Sequence, residues 1–198
     1  MASKNILVVG VGGQGTLLAS RILGALYIER GLDVKLSEVH GMAQRGGSVV
    51  TYVRAGDAVA SPLISKGEAD MVISFEKLEG LRWASYLKKD GILILNEQEI
   101  SPMPVITGAQ KYPENIVETL KSAGTRVVAV DALPAAKKAG SVKAVNTAIL
   151  GAAANHLDFS DSEWDNALEH TINPKFIELN REAFRLGRKL ELESDRVV

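Results

Sequence analysis

The sequence predicts an α/β domain: a largely parallel, Rossmann-like sheet flanked by helices, followed by a helical C-terminal third. Three observations lead there. Short continuous apolar runs recur as far as Val130, as strands buried on both faces require. Helix-compatible stretches alternate with them. From Val142 to Leu190 the pattern changes to helical segments introduced by capping residues.

Residues 5–10 (Asn-Ile-Leu-Val-Val-Gly) are the first such run and end in glycine. A helix over 16–30 follows, with Leu18, Ile22, Ala25 and Leu26 at three- and four-residue spacing and Gly31 where a left-handed stop falls. Residues 33–39 return as the second strand of a βαβ unit. Residues 47–53, rich in β-branched and aromatic side chains, extend the sheet or form a hairpin beside it. Further strands are read at 71–75, at 92–95 after an Asp90-Gly91 turn, and at 126–130, with helices at 77–87 and 114–122 between them. The last third carries helices at 144–157, at 161–168 behind the capping Ser160, and a final helix opened by Asn173-Pro174. In that helix Phe176, Ala183, Phe184, Gly187 and Leu190 define one apolar face, and the tail beyond Leu190 is polar and expected to fray. With no repeat or linker, residues 1–198 read as one domain.

Of the 198 residues 46% are hydrophobic and 24% charged, enough to bury one sizeable core. The 23 basic and 24 acidic residues give a net charge of −1, which argues against a nucleic-acid partner. The absence of cysteine excludes disulfides, a thiolate nucleophile and iron–sulfur ligation through cysteine by this chain. No apolar run approaches the roughly 18 to 20 residues that would span a bilayer, and Met-Ala-Ser-Lys-Asn runs directly into a strand-like segment, so no secretory signal is expected. The expected placement is cytoplasmic, with no membrane partner.

Two glycine segments carry the chemistry. Gly10-Val11-Gly12-Gly13-Gln14-Gly15 has the G-x-G-x-x-G spacing between a strand and a helix, so Gly10, Gly12, Gly13, Gln14 and Gly15 are candidate contacts to a diphosphate or another anion at the helix N-terminus. Asp33 and Glu38 lie where an acidic residue would meet a ribose. The same glycines can equally serve only a tight turn, or face a partner's ligand. Residues 37–48 (Ser-Glu-Val-His-Gly-Met-Ala-Gln-Arg-Gly-Gly-Ser) place Glu38, His40, Gln44 and Arg45 beside Gly46 and Gly47, at the strand end where α/β sheets meet ligands. Arg45 offers a bidentate fork to a carboxylate or phosphate, or an intersubunit ion pair. Met42 is read as packing, and His156 and His170, in the helical third, as structural or solvated.

No G-x-S-x-G elbow, P-loop, H-E-x-x-H motif or Cys/His cluster is present. No catalytic set can be assembled within this chain alone, which predicts a subunit that completes another chain's active site.

The two segments together resemble the gamma-type domain of the pyruvate:ferredoxin (2-oxoacid:ferredoxin) oxidoreductase superfamily. The form His40-Gly41-Met42-Ala43-Gln44-Arg45-Gly46-Gly47 looks like its indolepyruvate (arylpyruvate) branch. Ala69-Asp70, Glu76, Glu79, Asn96 and the stretch 180–187 agree further, so that the resemblance covers residues 4–190. It implies a large catalytic partner subunit that carries thiamine diphosphate and iron–sulfur clusters, with no cofactor bound by this chain alone. The complex would decarboxylate an arylpyruvate oxidatively to aryl-acetyl-CoA and CO2, with CoA as cosubstrate and ferredoxin as electron acceptor. The resemblance assigns Gln44 and Arg45 to polar contact with cofactor, CoA or partner, and the glycines to close backbone approach. Two rivals stand beside this expectation. One is an independent NAD(P)-binding Rossmann oxidoreductase, favoured by the G-x-G-x-x-G spacing and Glu38; the other is a purely structural assembly subunit whose second glycine segment is interfacial.

Overall fold

The computed structural model describes residues 4–40 and 47–194. Among them, β1 (Lys4–Val11), β2 (Asp33–His40), β3 (Ser48–Gly56), β4 (Ala69–Ser74), β5 (Leu87–Asn96) and β6 (Arg126–Val130) form one sheet in the order β2-β3-β1-β4-β5-β6. The pairs β1/β4, β4/β5 and β5/β6 are parallel, whereas β3 is antiparallel to both of its neighbours. Five strands therefore share one direction and β3 alone runs against them.

Helix α1 (Thr16–Glu29) links β1 to β2 in the βαβ sense. Yet β2 does not pair with β1, because β3 turns back from it and occupies the intervening place. That leaves β2 at the sheet edge, half-exposed along its length. The central strands bury both faces, as their unbroken apolar runs require. Ile6, Val8, Met71, Ile73, Ile92 and Ile94 point to one side, and Leu7, Val9, Val72, Leu93 and Leu95 to the other.

The first side is covered by α1, α5 (Ala132–Ala139), α6 (Val145–Ala154), α7 (Asp161–Thr171) and α8 (Ile177–Ser194). Ile22, Leu26, Ile149, Trp164 and Phe184 fill that core. The second side is covered by α2 (Lys77–Trp83) and α4 (Ile116–Ser122) through Leu78, Ile116 and Leu120. Each fully buried aliphatic or aromatic side chain contributes about 1.5–3 kcal/mol, so the thicker helical layer holds the C-terminal third firmly against the sheet.

Several boundaries differ from the sequence reading. The Asp90-Gly91 pair is no turn: β5 starts at Leu87 and runs through it, with a register shift opposite Ala69 and Met71. A Cβ on Gly91 would lie 2.8 Å from the Ala69 carbonyl oxygen, so the glycine admits a close strand approach. The helix expected over 77–87 ends at Trp83 and tightens into a 3-10 turn, Ala84–Tyr86. Helix α5 was not foreseen, although Asp131 caps it and Pro134 sits harmlessly in its first turn. The short α3 (Met103–Ile106) was likewise missed. Ser160 caps α7 reciprocally with Glu163, as a capping box. Helix α8 continues to Ser194, past the point where a frayed tail was expected. Of its expected apolar face, Ala183 and Phe184 are buried, while Phe176 lies in a preceding 3-10 turn and is exposed.

Candidate functional site

The first glycine segment leaves β1 at the carboxyl edge of the parallel strands, where the crevice of such a sheet opens. Gly13 and Gly15 have φ of +99° and +87°, conformations that cost an L residue roughly 1–2 kcal/mol. Between them Gln14 folds back into the turn. Its Oε1 accepts the Val11 N–H at 2.7 Å, and its Nε2 donates to the Phe75 carbonyl at 3.0 Å and to Gln98 Oε1 at 3.1 Å. A Cβ on Gly10 would lie 2.8 Å from Gln14 Oε1, so the bare backbone there makes room for this amide. Asn96 also donates to the Phe75 carbonyl, at 3.1 Å, and accepts the Ala132 N–H at 3.1 Å. Gln14 is thus built into the turn that shapes the crevice.

The N–H groups of Gly13, Gly15 and Thr16 make no hydrogen bond among the described residues. Helix α1 has no side-chain cap and no acidic residue in its first turn, so the positive end of its dipole faces the crevice unmatched. Asn146, buried at the start of α6, stands against it. Its Oδ1 accepts the Thr147 N–H at 2.8 Å, whereas its Nδ2 has no acceptor among the described residues and abuts Gly15, where a Cβ would collide with it. The exposed Lys143 completes the wall of a cleft of about 420 Å³ that also includes Gln98, Phe75 and Leu133. Unengaged backbone donors, the free amide N–H of Asn146 and the Lys143 side chain line one cleft, which is an arrangement for an anion. Asn146, Lys143 and Gln98 were not singled out from the sequence. The one local signal near the first two is Ser141, which caps a 3-10 turn, Val142–Ala144, through the Lys143 N–H.

On the other side of the same turn a cleft of about 390 Å³ is lined by Gly12, Gly13, Gly15, Thr16, Leu17, Glu38, His40 and Val49. Glu38 Oε1 lies 3.6 Å from His40 Nδ1, and the Thr51 hydroxyl approaches Glu38 Oε2 at 3.4 Å. The Gly47 carbonyl accepts the Gly12 N–H at 2.9 Å, joining the two glycine segments directly. The structure therefore brings Gly10, Gly12, Gly13, Gln14, Gly15, Glu38, His40 and Gly47 to one sheet edge. Gln44, Arg45 and Gly46, with Met42, lie outside the described residues.

Asp33 is excluded as a ribose acid, since it begins β2 at the far end and is engaged by Lys35 at 2.5 Å and the Val59 N–H at 2.9 Å. Glu38 is separated from β1 by β3, a lateral offset of about 10 Å at two strand spacings. In a dinucleotide fold the acidic strand adjoins the glycine strand, so this order argues against the nicotinamide reading. His156 pairs with Glu191 at 2.9 Å and His170 with Glu29 at 3.4 Å, both away from the crevice.

Residues 5–190 match the family model for pyruvate ferredoxin/flavodoxin oxidoreductase. The chain is 43% identical over 187 residues to the indolepyruvate oxidoreductase subunit IorB of Archaeoglobus fulgidus, covering 92% of each. Among solved structures it superposes on the pyruvate oxidoreductase subunit PORC of Thermotoga maritima with a TM-score of 0.71 at 23% identity, covering 95% of this chain and 96% of that one. It also superposes on a 2-oxoglutarate:ferredoxin oxidoreductase from Magnetococcus marinus, solved with 2-oxoglutarate, coenzyme A and succinyl-CoA. There the TM-score is 0.71 at 19% identity, covering 96% of this chain and 31% of that longer one.

Proposed function

The chain belongs to the pyruvate ferredoxin/flavodoxin oxidoreductase family, and from that membership we infer that it is the small subunit of an indolepyruvate-type 2-oxoacid:ferredoxin oxidoreductase, inactive alone. Oxidative decarboxylation of an arylpyruvate with CoA yields aryl-acetyl-CoA and CO2, and two electrons leave to ferredoxin. With no cysteine in the chain, cysteine-ligated iron–sulfur clusters belong to the larger partner, as does thiamine diphosphate, which supplies the decarboxylation chemistry when bound there. The enzyme is read as cytoplasmic; among the described residues no helix is long and apolar enough to cross a membrane.

One observation carries the role given to this chain's own residues: Gly13 and Gly15, whose N–H groups are unmatched among the described residues, line the same cleft as Asn146 and Lys143. We assign this cradle to an anionic group, a phosphate or carboxylate, presented at the shared site. Gly10 and Gln14 shape the turn, and Gly12 and Gly47 tie it to the second segment. Glu38 and His40 line the neighbouring cleft, and the family resemblance assigns Gln44 and Arg45, beside Gly46, to polar contact with cofactor, CoA or partner. Arg45 contributes the cationic fork, so Arg45→Ala is expected to lower turnover or loosen assembly.

The test is turnover of indolepyruvate and phenylpyruvate, with CoA and ferredoxin supplied, by this chain, by its large partner and by the two mixed. Activity in the mixture alone is the expected result. Reduction of a substrate with NAD(P)H by the lone chain would instead establish the nicotinamide reading.

A further inference from the structure

We propose that Glu79 is a positioning residue that, by way of Ser48, holds the two glycine segments at one fixed separation. Glu79 lies on α2, outside both clefts, and is only 2% exposed. Its Oε2 accepts the Ser48 hydroxyl at 2.5 Å and its Oε1 accepts Arg82 Nη1 at 2.6 Å. Ser48 opens β3 directly after Gly47 and stands opposite Val11 in the register. The Gly47 carbonyl in turn accepts the Gly12 N–H. A chain of contacts thus runs from α2 through Ser48 and Gly47 to the first glycine turn.

Helix stability does not explain this burial. An Arg–Glu pair three residues apart serves a helix as well on an exposed face, where it is worth only a few tenths of a kcal/mol. Burying a carboxyl group is costly unless its oxygens are matched, and Ser48 supplies the match that the helix itself does not. The neighbouring Glu76, equally buried, does the corresponding work for the opposite wall. It accepts the Glu79 N–H at 2.9 Å, the Ile100 N–H at 3.1 Å and the Tyr112 hydroxyl. Burial, and then Glu76 itself, push the Tyr112 hydroxyl well above its usual pKa, which keeps it a donor. The Lys77 N–H holds the Gln98 carbonyl at 2.9 Å, and Gln98 meets Gln14. The first turn of α2 therefore holds both Gln98, in the wall of the larger cleft, and Ser48, at the start of β3.

The consequence for turnover rests on reading the glycine segments as part of the shared site; the consequence for geometry does not. Two measurements separate them. In the full chain without partner, amide hydrogen exchange at Gly12 is followed for Ser48→Ala, Glu79→Ala and Glu79→Gln. Ser48→Ala removes only a hydroxyl, so it guards against a variant that fails to fold. Loss of the hydrogen bond is expected to speed Gly12 exchange about tenfold in Ser48→Ala and Glu79→Ala, while Glu79→Gln, which keeps an acceptor oxygen, recovers most of the protection. In the assembled enzyme the same two alanine variants are expected to lower kcat/KM about tenfold, and the double variant no further, since both cut one contact. Unchanged Gly12 exchange would overturn the proposal. So would faster exchange with a lowered melting temperature and an unaltered kcat/KM, because that marks a purely structural pair. If the wild-type mixture is itself inactive, the functional reading fails and the exchange data alone decide the positioning role.

Discussion

At the scale of single residues, Asn146 separates an anion cradle from a tight turn. Its side-chain oxygen is engaged by Thr147, so its amide nitrogen is the group left to act on a ligand. Asn146→Ala removes one neutral hydrogen bond and is expected to raise KM for an anionic substrate such as CoA about 3–10-fold in the assembled enzyme, with little change in kcat. Asn146→Asp sets a negative charge against the expected anion and should cost at least about tenfold, partly relieved by salt. Equal KM in all three proteins would reduce the crevice to a packing feature. The residue pattern made half of this visible. G-x-G-x-x-G named the turn, but Asn146 and Lys143 carry no motif, and nothing local says that α6 begins beside Gly15.

At the scale of elements, the helical third is held by close backbone approach. Gly187 on α8 packs on α6, where a Cβ would lie 2.9 Å from Ala148 Cα and nearer still to its carbonyl. Gly151 on α6 would bring a Cβ 2.9 Å from the Arg188 nitrogen. Because backbone cannot yield as a side-chain tip can, Gly187→Ala is expected to destabilise by about 1–3 kcal/mol, measured as a lower urea midpoint at unchanged slope. The spacing of Ala183, Phe184 and Gly187 revealed an apolar face, though not that its glycine marks a helix crossing. Helix α5 escaped notice for the opposite reason. Its Asp131 cap and Gly140 stop are plain, but Pro134 and two lysines mask a short alanine-rich run.

For the whole molecule, the outer helices are tied to the sheet-covering layer by ion pairs whose pH dependence can be read. Arg30, at the end of α1, bonds Glu163 of α7 at 2.6 and 3.1 Å. This pairing, with the Ser160 N–H and hydroxyl, lowers the Glu163 carboxyl from 4.5 to about 2. A carboxyl lowered in the folded state stabilises it above the unfolded value, and that contribution fades as pH falls from about 4.5 towards about 2. Glu163→Gln is therefore expected to lose less stability across that window than the wild type, measured by urea unfolding at successive pH values. The ferredoxin-oxidoreductase family was legible from two loop motifs, and the strands from their apolar runs, because both are written in contiguous residues. Turn chemistry, caps and periodicity act over a few residues, so the sequence by itself determined the six strand segments, most of the helices, α3 and α5 excepted, and the glycine turn after β1. Strand order is another matter. The central strands are apolar on both faces, so their side chains do not specify neighbours, and only long-range pairing inserted β3 between β1 and β2 and moved Glu38 to the edge. The same holds for Asn146 against Gly15 and Glu79 against Ser48: these contacts join distant segments, and only the packing of helices on the sheet decided that they meet.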